Sequence, residues 1–189
     1  MKSSFIVKIW RTGGFIINTN IEFDKQYYNQ SGHGACIFGK VKALQDLHFE
    51  DELWLQDTKY SLPDDMVMFY KLYLMGNIIA MNRKVRFLHL DAGTSIVNQN
   101  RKLQNIYASA RNGFIFWHRF IYKCRDKKCL SIICIIRRVF FTLFFSLLKG
   151  LVKLDLCYFI VYLKAYINAY KYIRSMSYKK IPPIKTSKI

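Results

Sequence analysis

The chain has 189 residues, 52% of them hydrophobic and 16% aromatic, which excludes general disorder and supplies enough apolar material for one sizeable core. Its formal net charge of +18 is lopsided: residues 1–100 hold 11 Lys and Arg against 10 Asp and Glu, whereas residues 101–189 hold 19 against 2. The second half therefore calls for a polyanionic partner, an anionic membrane surface or a nucleic acid.

The opening stretch MKSSFIVKIWRTGGF has neither the apolar core nor the cleavage site of a secretory signal, which places the working surface in the cytoplasm. Its apolar runs, Phe5–Trp10 and Phe15–Ile17, flank a Gly13–Gly14 turn and read as strands. In Ser31–Phe38 (SGHGACIF) a small-residue turn runs into an apolar strand, and Gly34 and Ala35 there would let a ligand approach the backbone closely. His33 reads as a surface loop residue. The cysteines, at 36, 124, 129, 134 and 157, form no Cys-x-x-Cys pair and match no common zinc or iron–sulfur spacing. Free thiols in a reducing compartment are the expectation.

Val41–Leu47 predicts a short helical turn, followed by Phe49-Glu50-Asp51-Glu52-Leu53-Trp54 and a polar link. Pro63 disfavours helix before it and is tolerated in a first turn, so Asp64 and Asp65 sit where a helix begins. Met66, Phe69, Tyr70 and Tyr73 then recur at i, i+3, i+4 and i+7, one helical face that Gly76 stops. A single carboxylate at that start is explained by capping and the helix dipole, for about 1 kcal/mol. The second adds repulsion that a metal, a basic group or a substrate hydroxyl must offset, so capping and chemistry stand level. Lys84–Leu90 alternates like a strand, ending its apolar face in His89 beside Asp91. His89 is either a buried histidine bonded to backbone or a ligand for a metal or phosphate.

Beyond residue 110 the chain turns cationic and apolar. Arg111–Lys123, with Trp117, predicts an aromatic–basic helix; Leu130–Ile136 and Val139–Leu148 are apolar runs interrupted by Arg137–Arg138. Neither run reaches the roughly 18–20 residues a bilayer requires, and joining them places two arginines in mid-span at a cost of several kcal/mol. The preferred reading is a helix lying in the membrane interface, with Arg137, Arg138 and Trp117 at the headgroups and Phe, Leu and Ile inserted, ahead of spanning or burial against another part. Tyr158–Tyr172 predicts a further amphipathic helix before a coil at Pro182–Pro183. Basic residues mixed with aromatics also build single-strand nucleic-acid grooves, but residues 130–160 are far more apolar than such a surface needs. No RNA-binding or helix-turn-helix pattern occurs, and nucleic acid is not expected as a partner.

The order of these parts resembles the acceptor-side half of family 2 glycosyltransferases from bacterial polysaccharide synthesis. The resemblance rests on Gly34-Ala35-Cys36, Phe49–Trp54, Ser61–Lys71 (SLPDDMVMFYK), His89–Gly93 (HLDAG) and Arg111–Phe120 (RNGFIFWHRF), and covers about residues 11–183. It implies an α/β fold, the C-terminal half of a GT-A-like mixed sheet with helices (residues 1–110), followed by amphipathic membrane-associated helices (111–189). It implies transfer of a sugar from a nucleotide-sugar to a saccharide or lipid-linked acceptor in surface polysaccharide synthesis, on the cytoplasmic face of the membrane. Asp65 then matches the general base, Asp64 its acidic neighbour, and His89 the residue that helps hold a divalent metal (Mg or Mn) or the diphosphate. Gly34, Ala35, Trp54 and Tyr60 become substrate contacts, the two aromatics by stacking on a sugar ring or else by packing. The family's nucleotide-binding half ends in Asp-x-Asp, a pattern this sequence lacks. The expectation is therefore a truncated chain without the donor site. The alternative is a non-catalytic remnant that binds membrane or a partner.

Overall fold

The computed structural model describes residues 5–19, 22, 26–32, 37–60, 63–81 and 99–187. The two N-terminal apolar runs fold back on each other as β1 (Val7–Ile9) and β2 (Phe15–Ile17), antiparallel, with Val7 opposite Ile17 and Ile9 opposite Phe15. The turn needs Gly13: its φ is +76°, and a side chain there would also meet the Trp117 Cβ at 3.1 Å. Along the other edge of β1 the chain runs parallel, the Ile6 amide donating to the Tyr28 carbonyl and the Gln30 amide to that of Val7. β3 (Tyr27–Tyr28) in turn pairs antiparallel with β4 (Ala80–Met81). Strand pairing of both directions is thus present in a small patch, within a mixed α and β fold that is mostly helical.

After α1 (Val41–Gln45) and a 3-10 segment, Phe49–Leu55, the acidic pair opens α2 (Asp64–Leu74). The expected face is there, but α2 is buried almost all round: Met66, Val67, Phe69, Tyr70, Lys71, Leu72 and Leu74 are all inside. Gly76, at φ +89°, ends it by letting the Asn77 amide reach back to the Leu72 carbonyl and its own amide to that of Tyr73. α3 (Gln99–Phe116) continues into a π-helical stretch, Trp117–Tyr122. Then come α4 (Lys128–Lys153), α5 (Cys157–Arg174) and the single turn α6 (Met176–Lys179). α5 packs against α3 and α4, and Ala165 and Ala169, both fully buried, let it approach closely.

The boundary at 110/111 falls inside α3, and one core joins Ile9, Trp54, Tyr70, Phe116, Phe120, Ile135 and Tyr178, so residues on both sides of the boundary share a single interior. The two apolar runs around Arg137–Arg138 form a single 26-residue helix, because arginine is a good helix former and nothing in the pair breaks the ladder. α4 is also turned inside out for a protein in water. Ser131, Ile135 and Gly150 face inward, with Arg138, Thr142 and Ser146 partly covered on the same side. Ile133, Ile136, Phe140, Phe141, Phe144, Phe145 and Leu148 are exposed. Over its most apolar 18 residues only 11% is buried, and the helix is long and apolar enough to associate with a membrane.

Candidate functional site

Pro63 precedes α2 and its carbonyl accepts the Val67 amide, so Asp64 and Asp65 occupy the first turn. Asp64 is exposed and Asp65 half-buried; an Asp64 carboxylate oxygen accepts the Asp65 amide at 3.0 Å. Two carboxylates thus stand together at the solvent-facing end of a helix whose remaining turns are in the core. Tyr60 lies just upstream, half-buried, with the Arg101 guanidinium 5.9 Å from its ring centroid.

What holds this turn in place is an ion network that the sequence reading did not anticipate. Glu52, 1% exposed, takes a two-pronged contact from Arg119, Nε to Oε2 and Nη2 to Oε1, both at 2.7 Å. Lys71 of α2 reaches the same carboxylate at 2.9 Å and donates to the His48 carbonyl, also at 2.9 Å. Burial pushes the Glu52 carboxyl up, but the Arg119 hydrogen bonds and charge, with Lys71, outweigh it and hold the group below the ordinary carboxylate range. A second brace joins Arg111 to Asp57 at 2.7 Å, to the Trp54 carbonyl at 2.9 Å and to Asn168 of α5 at 2.8 Å. The 3-10 segment is thereby locked to α2, α3 and α5, and α2 presents its acidic turn from a fixed base. Arg119 carries a legible signal after the fact: a cation in the run FIFWHRFI, apolar or aromatic on nearly every side, must be paired if it is buried.

Several expected site residues fall elsewhere. Trp54 is 2% exposed and its indole N–H donates to Glu52 at 2.7 Å, so it is a core residue rather than a stacking platform. Trp117, expected at the headgroups, is buried against Phe114, Tyr122 and the Gly13 turn. The arginine pair divides: Arg137 is exposed on the apolar face of α4, whereas Arg138 turns inward and donates to the Thr12 carbonyl at 2.8 Å. Gly34, Ala35 and His89 lie outside the described residues. Among the described residues no three His, Cys, Asp or Glu side chains gather as metal ligands. Cys124, Cys129, Cys134 and Cys157 are free thiols, as expected.

His118, beneath the α4 face, shares a hydrogen bond with the Tyr178 hydroxyl at 2.7 Å. Burial, helped by the Lys123 charge, lowers its pKa to about 4. The unfolded chain, titrating near 6.5, then binds more protons than the folded one between these values, so stability falls as pH drops from 6.5 toward 4. His118→Gln, which cannot titrate, should flatten that limb of a urea-denaturation series against pH; an unchanged slope would assign the limb to carboxylates alone. No family model, curated protein or solved structure matches the chain.

Proposed function

We propose that the chain forms the acceptor-side part of a membrane-bound glycosyltransferase of the family 2 type, with a GT-A-like arrangement around its small sheet. The observation that carries this reading is the Asp64–Asp65 pair, one exposed and the other half-buried, on the first turn of an otherwise buried helix. In the proposed reaction Asp65 accepts the proton of an acceptor hydroxyl as that oxygen bonds to the anomeric carbon, and the nucleoside diphosphate leaves with the electron pair of the broken bond. Asp64, through its bond to the Asp65 amide, fixes the turn. A divalent cation, Mg or Mn, would supply charge neutralisation at the diphosphate, with His89 as its contact. Donor binding is assigned to a separate segment carrying Asp-x-Asp. The test is transfer of a labelled sugar by a complete donor-plus-acceptor assembly, comparing the native chain with Asp65→Asn; undiminished transfer would sink the reading.

The inverted α4 supports the membrane part of this proposal: a helix at the cytoplasmic surface, lying in the interface, with Arg137 drawn up to lipid phosphates from among the inserted phenylalanines. Replacing Phe140, Phe141, Phe144 and Phe145 by serine should reduce sedimentation with anionic vesicles at least about tenfold, since burying each phenylalanine contributes roughly 1.5–3 kcal/mol. An unchanged near-UV spectrum would confirm the fold, and unchanged sedimentation would exclude this face as the contact. The same face favours the second reading, a chain that binds membrane without catalysing transfer. Vesicle binding without transfer, in an assembly whose donor site is loaded, would select it.

A further inference from the structure

α3, α4 and α5 enclose a second feature that the acidic turn does not use, an open groove of about 400 Å³. Lys102 and Asn105 line it from α3, Arg138 and Thr142 from α4, Tyr162 and Tyr166 from α5. Its two cations have no carboxylate partner among the described residues: Lys102 lies over the Tyr158 ring at 5.6 Å, and the Arg138 guanidinium donates from Nη1 to the Thr12 carbonyl. The Thr142 hydroxyl donates to the Arg138 carbonyl at 2.8 Å. Asn105 points an enclosed amide oxygen at no donor. Turning that amide about its last bond would place an N–H₂ donor there instead, which an anion would satisfy.

We propose that this groove binds one phosphate group, and that its source is the headgroup of a membrane lipid. Residues carrying guanidinium, ammonium and amide groups line one concave site, and charge-assisted bonds from such groups are what phosphate oxygens take. The source follows from the neighbourhood. Arg138 sits on the covered side of α4, about one helix diameter (10–12 Å) from the apolar surface assigned above to the membrane interface, so a headgroup bound there stays within reach of that interface. The inference rests on membrane association and not on glycosyl transfer.

Isothermal titration of the full chain in phosphatidylcholine bicelles with dioctanoyl phosphatidic acid tests it, with sedimentation on pure phosphatidylcholine vesicles reporting membrane association separately. Arg138→Gln and Lys102→Glu should each weaken phosphatidic acid binding at least about tenfold. Lys171→Gln, which removes one positive charge from an exposed position on α5 outside the groove, should change it less than about threefold. Equal losses for Lys171→Gln and Arg138→Gln would overturn the proposal, because diffuse charge would then explain the binding. Lys102 is at the exposed rim, so its variant stays informative if Arg138→Gln fails to fold, and unchanged binding by it would also overturn the site. Inorganic phosphate competing as strongly as the lipid would uphold the phosphate chemistry and overturn the lipid source.

Discussion

Asp65→Asn is expected to lower sugar transfer by about two to four powers of ten, the range that removing a positioned general base costs. The substitution isolates the chemistry well. Asparagine has nearly the shape of aspartate and is as acceptable at a helix start, so α2 and its buried turns should be undisturbed. What disappears is the ability to accept a proton. Asp64→Asn removes a charge from the same turn but leaves Asp65 and its amide bond, since the asparagine oxygen can still accept it, and should cost no more than about tenfold. Transfer rates with a nucleotide-sugar in saturating amount, beside thermal unfolding of each variant, separate lost chemistry from lost fold. Near-native transfer by Asp65→Asn, or equal losses at both positions, would leave the pair as an ordinary acidic helix start.

The largest expected loss of stability comes from Glu52→Gln. Two cations, Arg119 and Lys71, converge on this carboxylate within 2.9 Å, and all three side chains are at most 5% exposed. Removing the anion strands Arg119 and leaves Lys71 only the Asp51 carboxylate, at 3.5 Å, and breaking one side of a buried pair costs about 3–5 kcal/mol. That is a large part of the roughly 5–15 kcal/mol that holds a typical domain together. Urea unfolding should show it as a lowered midpoint at constant slope. Arg119→Met combined with Glu52→Gln should lose less than the two singles summed, because the stranded guanidinium is gone as well. A loss below about 1 kcal/mol for Glu52→Gln would mean that water reaches the cluster. The pH sign agrees with that of His118. A carboxyl held below its unfolded value of 4.5 contributes stability that is present above that pH and lost as acid protonates it.

α2 was legible from sequence because its signals agree: Pro63 before it, carboxylates in the first turn, apolar residues at helical spacing, and a glycine that supplies the positive φ of its end. The strand runs around Gly13 were legible for the same reason. The apolar runs of α4 were legible, and Arg137 and Arg138 interrupt their hydropathy without interrupting helix propensity; one continuous helix turns Arg138 inward and shows Arg137. Trp117, expected at the headgroups, is inside, and Trp54, open between stacking and packing, packs, since an aromatic next to charges reads alike as a platform or as packing until the partner is known. For Trp54 that partner is Glu52, two residues away; for Glu52 it is Arg119, 67 residues away. A sequence carries both charges but not their pairing. The acidic pair itself was visible throughout, and only its surroundings required three dimensions.

On the proposed membrane reading, the outward apolar face of α4 makes the folded state a ligand-dependent quantity. A lipid surface that binds the folded chain but not the unfolded one adds RT ln(1 + [L]/Kd) to its stability, about 2.7 kcal/mol when lipid is a hundredfold above Kd. A melting temperature for this protein is then defined only at a stated lipid concentration. Dilution below the dissociation constant, with no change in sequence, temperature or pH, lowers it.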